Sequence, residues 1–502
     1  LELSSPSHSP AWWVHLPAEL RIRDLDLTPA SSLTGRWTEH WRRRPRAHTL
    51  ADVDGTWLTA EELDDRTAVA AARLRAAGLA PGDRLALSAG TSARLVTAYI
   101  AALRAGLIVV PLNTAYTESE VTRIVRDAVP AAAAVDSDAH AAWIGAAASH
   151  SIPIVGPDLD GLPRRANDDE IDRAVLDDPA LLVYTSGTTG QPKGALLTHG
   201  NLLASATAVN VAWRWRSEDA LLLTLPLFHL HGLGVGINGS LCAGAAIVLR
   251  PRFDAGDVAE QARRGVSLFF GVPAMYERLA SSGTAAALAR LRLLVSGSAP
   301  LPSALADEIA EQAGQIPLER YGMTETVMLT SNPYEGARKP GTVGCALPGV
   351  RLRLGEGDEV EVTGPNVISG YFKRPAADGE SFTADGWFRT GDIGAFDGDG
   401  YLRLVGRSKD LIITGGYNVH PREVEEALGT HPDVVEVAVV GRPSDKWGEE
   451  VTAVVVARRR IAPEELRAHA GVQLAPYKLP KNVEFTDELP RNALGKVIRS
   501  RL

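Results

Sequence analysis

Thr185-Ser186-Gly187-Thr188-Thr189-Gly190-Gln191-Pro192-Lys193-Gly194 lies between two apolar runs, Leu181-Leu182-Val183-Tyr184 and Ala195-Leu196-Leu197. The runs read as strands. The decapeptide between them holds three glycines, four hydroxyl side chains and one lysine. Glycines let a backbone turn tightly, and successive exposed N–H groups form an anion-binding concavity. The hydroxyls and the Lys193 ammonium add donors and positive charge. Such a loop suits a phosphate. The Walker A spacing G-x-x-x-x-G-K-[ST] cannot be laid on it. Taken alone, the ten residues are equally compatible with an ordinary hairpin turn.

Upstream, residues 36 to 150 alternate helix and strand signals. Thr59-x-x-Glu62 is a capping-box pattern and opens a helix that Gly78 ends. Arg84-Leu85-Ala86-Leu87-Ser88 predicts a strand, residues 92 to 105 a helix, and Leu107 to Leu112 a buried strand. This βαβ alternation predicts a parallel sheet with helices on both faces. The Ala-rich piece 131 to 150 and the polar piece 157 to 178 read as surface connections.

The composition narrows the class. A chain of 502 residues predicts two or more domains, and 45% hydrophobic with 23% charged residues suits a globular protein. A net charge of −9 argues against a general nucleic-acid binder. Cys242 and Cys345 form neither a disulfide framework nor a metal-ligand spacing, which suits a cytoplasmic setting. No apolar run reaches membrane-spanning length, and the start has no signal-peptide pattern. Only eight lysines stand against 44 arginines, and Lys193, Lys409 and Lys496 all fall in motif-like stretches.

Downstream of the loop, residues 199 to 212 predict a helix and Leu221 to Leu225 a strand, followed by Pro226-Leu227-Phe228-His229-Leu230-His231-Gly232. The two histidines are either a metal pair or plain turn and core residues. Residues 268 to 279 predict a strand and then a helix begun at Pro273. Residues 291 to 300 predict a strand ending in the small residues Ser298-Ala299-Pro300, where a flat ring can lie against backbone. In Arg320-Tyr321-Gly322-Met323-Thr324-Glu325-Thr326, a tyrosine can stack on a ring, a threonine can bond a phosphate, and a glutamate can hold Mg²⁺. The carboxylate of Asp392, in Gly386-Trp-Phe-Arg-Thr-Gly-Asp392, can accept from a pair of hydroxyls. Beyond Gly406-Arg407-Ser408-Lys409-Asp410 the pattern changes. Leu411 to Thr414, Val434 to Val440 and Val451 to Ala457 read as strands, with a helix from Pro421, which predicts a small α+β domain.

These stretches, in this order, resemble the acyl-adenylate-forming (AMP-binding) superfamily, which includes acyl-CoA synthetases, adenylation domains of peptide synthetases, and luciferases. The resemblance spans nearly the whole chain and implies an α/β fold. A large N-terminal domain of doubly wound sheets (residues 1–406) would be joined by a hinge at Lys409 to a small, mobile α+β domain (residues 407–502). It implies ATP, Mg²⁺ and coenzyme A as cofactors and co-substrates. Thr185, Ser186, Gly187, Thr188, Thr189 and Lys193 would hold phosphates. Ser298, Ala299 and Pro300, with Arg320, Tyr321, Gly322, Met323 and Thr324, would line the nucleotide. Asp392 and Arg407 would take the ribose, and Glu325 the metal. Lys496, in Pro490-x-x-x-x-Gly495-Lys496, matches the lysine that bridges the substrate carboxylate and the α-phosphate, so the catalytic set is Lys496, Lys193, Thr324 and Glu325. Gly415, Gly416 and Tyr417 would face the thiol in the second step.

Within the superfamily, the stretches 226–232, 295–299, 318–325 and 330–336 look most like malonyl-CoA synthetases. That likeness implies malonate, or methylmalonate with its methyl branch, as the acid. Burying the second carboxylate requires a cation. Arg278 is the expected one, with His229 and Ser298 beside it and Leu230 and Met323 bounding the carbon between the carboxylates. A medium-chain acyl-CoA synthetase and a free-standing adenylation enzyme loading a carrier protein are the alternatives. No nucleic acid or membrane partner is expected. The chain ends six residues after Lys496, which predicts no fused carrier domain.

Overall fold

A computed structural model describes residues 12–163, 171–185, 193–444, 446–491 and 497–502. Packing divides the chain into two units: Leu1–Arg351 with Val362–Phe388, and Leu352–Glu361 with Arg389–Leu502. Residues 389–406 therefore pack with the chain that follows them. A hinge at Lys409 concerns where dihedral angles change, which is a separate property.

The first unit carries two sheets. The six-stranded one runs in the order Ile154–Val155, Ala132–Val135, Arg84–Ser88, Ile108–Pro111, Pro179–Thr185, Lys193–Thr198. Its strands are parallel except the last pair, which is antiparallel and carries the Gly/Ser/Thr loop between its members. Both faces are covered, so these strands read as apolar runs with little alternation. Ala132–Val135 is an inner strand with all four residues buried, where a surface connection was expected. Alanine carries little strand signal of its own. The pairing with Arg84–Ser88 and Ile154–Val155 decides its place. Ser137 then caps the helix Asp138–Ala147.

Helix starts follow the predicted chemistry. Thr59 and Glu62 cap each other reciprocally at the start of Ala60–Ala76. Thr198 closes the strand that leaves the loop and caps the helix His199–Ala212, its hydroxyl accepting from Asn201 N at 3.1 Å. The segment from Lys193 to Ala212 is thus one continuous strand–helix piece.

The nine-stranded sheet has six contiguous parallel strands in the middle of its order, His48–Ala51, Ala246–Leu249, Ala220–Leu223, Leu268–Gly271, Leu293–Ser296, Leu318–Tyr321. Phe269, Leu294, Leu222, Tyr276 and Leu279 share one buried cluster on it. Tyr276 is fully buried and donates its hydroxyl to Val295 O at 2.9 Å, which satisfies its polar end. Gly271 pairs with Ser296, and Ser296 with Glu319, so the loops after these three strands emerge side by side. Ligands of open α/β sheets sit beyond such carboxyl ends.

The second unit is α+β. Most of a four-stranded sheet, Arg351–Leu354, Glu359–Thr363, Phe388–Phe396 and Leu402–Arg407, belongs to it. A further sheet orders Tyr417–Val419, Ile412–Thr414, Gly448–Ala457 and Val434–Ser444, with Asn482–Phe485 parallel to Gly448–Ala457. The helix Pro421–Gly429 begins at its proline and buries Val424 and Leu428 against Val439 and Val451. The whole is a mixed α/β fold with a large N-terminal and a small C-terminal domain. Among the described residues no helix is long and apolar enough to cross a membrane.

Candidate active site

Several segments of the first unit carry the residues expected at the site. Thr185 and Lys193 face each other across the antiparallel pair, with Thr185 Oγ1 donating to the Lys193 carbonyl at 3.4 Å. Ser186, Gly187, Thr188 and Thr189, expected to hold phosphates, lie outside the described residues. The Lys193 ammonium stands 5.4 Å from the centre of the Tyr371 ring.

The loop after Leu318–Tyr321 carries Gly322, Met323, Thr324 and Glu325. A side chain at Gly322 would overlap the Val327 carbonyl, so only glycine lets this loop fold back. Val327 itself is left-handed, with φ of 55°. Met323 N donates to Thr326 Oγ1 at 3.4 Å. Glu325 is buried, and the Tyr371 hydroxyl donates to its Oε1 at 2.9 Å. Mg²⁺ takes oxygen ligands and uses one or two carboxylates together with substrate phosphates. A buried carboxylate with one oxygen fixed by a hydrogen bond fits that demand.

A second group gathers around Arg320. Its guanidinium lies against Gly297, where an added Cβ would overlap it. Burial alone lowers its pKa to about 9. Arg320 Nε and Nη2 have no hydrogen-bond partner among the described residues, and neither does His231 Nε2. His231 Nδ1 is 3.2 Å from Ser298 Oγ, and its ring stacks on Phe270 at 6.4 Å. Ser298 holds φ of 68°, a strained conformation for serine that aims it at the histidine. Burial, and then the Arg320 charge, lowers His229 to about 4 and pushes His231 well below the ordinary histidine range. A metal pair at His229 and His231 is therefore disfavoured, since the adjacent fixed charge is a cation. An anion answers the same electrostatics: it would pair with the guanidinium and relieve both imidazoles. His231 opens a π-helical turn, His231–Ile237, which the sequence did not reveal and which is common at functional sites. Leu230 is buried just before it.

Arg278 stands elsewhere. It is exposed on the helix Pro273–Ser281, its guanidinium 5.0 Å from the centre of the Phe253 ring. An exposed, water-screened arginine does not meet the requirement for a buried counter-charge, which Arg320 does. Ala299 is half-buried and Pro300 exposed on the loop that begins at Gly297.

In the second unit, Asp392 and Arg407 are cross-strand partners, with Arg407 Nε 3.0 Å from Asp392 Oδ1. Lys409 is exposed in the short turn Ser408–Asp410. Gly415 and Gly416 are left-handed, with φ of 59° and 82°, and Tyr417 is exposed and stacked on Tyr477 at 4.5 Å. Trp447 lies against Gly415, with Lys446 and Lys481 ammoniums 4.9 and 3.9 Å from its ring. Neither Trp447 nor Tyr477 stood out in the sequence, because tertiary contacts bring them beside the 415–417 turn: Gly415 N donates to the Trp447 carbonyl, and Tyr477 stacks on Tyr417. Lys496 lies outside the described residues. His431, Asp433 and Glu465 also approach one another, but Arg459 Nη2 sits 2.8 Å from Asp433 and 2.9 Å from Glu465 and supplies the counter-charge.

The AMP-binding enzyme family matches residues 37–372, and the AMP-binding enzyme C-terminal domain matches residues 423–496. A feruloyl-CoA synthase from an Amycolatopsis species is 39% identical over 489 residues, covering 93% of this chain and 98% of that protein. A malonate–CoA ligase from Arabidopsis thaliana is 35% identical, covering 85% and 78%. The crystal structure of ATP-bound MatB from Rhodopseudomonas palustris superposes with a TM-score of 0.87 at 37% identity, covering 94% of this chain and 97% of that one. With both family domains in order and full-length likeness to acid–CoA ligases, the chain belongs to the AMP-binding enzyme family and is an ATP-dependent acid–CoA ligase.

Proposed function

We propose that the acid is malonate, with methylmalonate as a second substrate, converted to the CoA thioester through an acyl-adenylate. The observation that carries this reading is the buried Arg320 guanidinium, with Nε and Nη2 lacking partners among the described residues and His231 beside it. A carboxylate that is not activated would pair there, gripped by guanidinium N–H groups, with His231 and Ser298 adding donors. Arg320 takes the role first given to Arg278. His229, Leu230 and Met323 remain the residues proposed to bound the acid, and Leu230 and Met323 would decide whether a methyl branch is admitted.

In the first step a carboxylate oxygen of the acid attacks the α-phosphorus. The bond to the bridging oxygen breaks, and pyrophosphate leaves. Two anions meet, so Lys193 and Lys496 are assigned to neutralise the charge that concentrates in the transition state, and Thr324 to bond phosphate. Mg²⁺, held by Glu325 when bound, would add charge neutralisation at the phosphates. Thr185 through Thr189 cradle the phosphates. Ser298, Ala299, Pro300, Tyr321 and Gly322 line the base, and Asp392 with Arg407 takes the ribose hydroxyls. In the second step the CoA sulfur attacks the acyl carbon, the acyl–phosphate bond breaks, AMP leaves, and the thiol proton passes to solvent. We place CoA at the Gly415-Gly416-Tyr417 turn, where Trp447, Tyr477, Lys446 and Lys481 offer ring faces and cations to a phosphorylated nucleotide. Residues 1–406 and 407–502 are the bodies proposed to move about Lys409, and two buried free cysteines suit a cytoplasmic enzyme.

The feruloyl-CoA synthase likeness favours one rival, an aromatic monocarboxylate. Such an acid would leave Arg320 buried without a counter-charge. A panel of acetate, butyrate, octanoate, malonate, methylmalonate, succinate and ferulate separates the readings. Malonate should be preferred, and Arg320→Met should lower kcat/KM for malonate by roughly 10²–10³, since breaking a buried pair costs about 3–5 kcal/mol. Arg278→Met should stay within about twofold of wild type, as exposed charges contribute little. Preference for ferulate or octanoate, or intact malonate use by Arg320→Met, overturns the assignment.

A further inference from the structure

We propose that Tyr371 is a positioning residue for adenylation: its hydroxyl orients the Glu325 carboxylate for metal binding while its ring receives the Lys193 ammonium. The proposal rests on the reading that Glu325 holds Mg²⁺. Tyr371 links two loops that come from different sheets. Its backbone is pinned to the strand that begins at Lys193, through a bridge to Ala195 and through Phe372 N donating to Gly194 O at 2.8 Å. From the other side, Tyr371 N donates to Asp378 Oδ1 at 2.7 Å. A Cβ at Gly370 would come 2.8 Å from Asp378 Oδ2, so the preceding glycine is what admits this turn. The side chain then reaches Glu325 Oε1 at 2.9 Å, on the loop after Leu318–Tyr321.

The chemistry of the contact is one-directional. The Tyr371 hydroxyl donates and the ionised Glu325 carboxylate, which has only lone pairs to offer, accepts. The same ring faces Lys193 at 5.4 Å, within cation–π range. One side chain therefore holds the anion meant for the metal and the cation meant for phosphate. An ammonium and a carboxylate left to collapse on each other would cancel both functions.

The test uses the full-length enzyme. Mn²⁺ binding with a non-hydrolysable ATP analogue is read by electron paramagnetic resonance, and pyrophosphate exchange is followed against free Mg²⁺. Groups that orient metal ligands typically matter by about 10–100-fold in affinity. Tyr371→Phe keeps the ring and should weaken Mn²⁺ binding about tenfold. It should raise the Mg²⁺ needed for half-maximal exchange by a like factor and leave the KM for ATP at saturating Mg²⁺ within about twofold. Tyr371→Leu should add a rise of a few fold in that KM. Wild-type Mn²⁺ affinity in Tyr371→Phe, with only a lowered melting temperature, means a merely structural tyrosine and overturns the proposal. Glu325→Gln separates the two levels. If it loses Mn²⁺ and Tyr371→Phe does not, only the positioning role fails. If Glu325→Gln binds Mn²⁺ as wild type does, the metal reading fails and takes the proposal with it.

Discussion

Gly297 shows how much one absent methyl can decide. Its lack of a side chain is what admits the Arg320 guanidinium to its buried place. Gly297→Ala should push that guanidinium aside without touching the loop residues that follow, which are proposed to line the base. We expect malonate KM to rise about tenfold, the equivalent of about 1.4 kcal/mol, with ATP binding measured by calorimetry unchanged. Equal losses for acid and ATP would show a collapsed loop. The choice between Arg278 and Arg320 lies at this scale too. Both stand in motif-like stretches, and local pattern cannot rank them. Arg320 pairs into a strand whose residues are all buried, whereas Arg278 sits on the outward side of an amphipathic helix.

Elements were more legible than contacts. The strand–helix piece from Lys193 to Ala212 and the capping box at Thr59 are local chemistry, and local chemistry is written in neighbouring residues. The strand Ala132–Val135 and the π-helical turn His231–Ile237 are not. Alanines lack strand preference, and a π turn depends on what packs around it, here on Gly232 passing against the Pro226 carbonyl. The short turn Ser408–Asp410 belongs to this scale as the proposed hinge. Proline there locks φ. Lys409→Pro should slow thioester formation from supplied acyl-adenylate by more than tenfold while adenylation changes by less than about threefold, because a hinge at this turn would have to change its dihedrals between steps. Unimpaired thioester formation in single-turnover assays would move the hinge elsewhere.

At the scale of the whole molecule, the first unit carries a store of acid sensitivity. His15, His199 and His229 are each lowered to about 4, by burial above all. An unfolded histidine titrates near 6.5, so below that pH the unfolded chain binds protons that the fold refuses. Stability is therefore fully present above about pH 6.5 and falls as the pH drops toward about 4. Each such histidine contributes up to about 3 kcal/mol to the decline. The urea midpoint of the intact enzyme should be flat from pH 7 to 8 and fall steadily below 6.5. Both ring nitrogens of buried His199 lack partners among the described residues. His199→Leu should accordingly flatten part of that fall, and an unchanged pH profile in this variant would remove His199 from the account.

By itself the sequence determined much of the order of strands and helices, the two strands that flank the Gly/Ser/Thr stretch, the helix caps, and an α+β pattern in the C-terminal part of the chain. These are matters of periodicity, turn chemistry and spacing, which act over a few residues. Tertiary structure alone decided which arginine is buried, which histidine faces it, and which tyrosine holds Glu325. Arg320 and His231 are 89 residues apart in the chain, and Tyr371 is 46 from Glu325. No local rule reaches across such distances. Parallel strands in register bring the ends of Leu268–Gly271, Leu293–Ser296 and Leu318–Tyr321 together, a bridge to Ala195 places Tyr371, and burial then sets the charge of each group, because the cost of an unpaired ion depends on the water removed from around it.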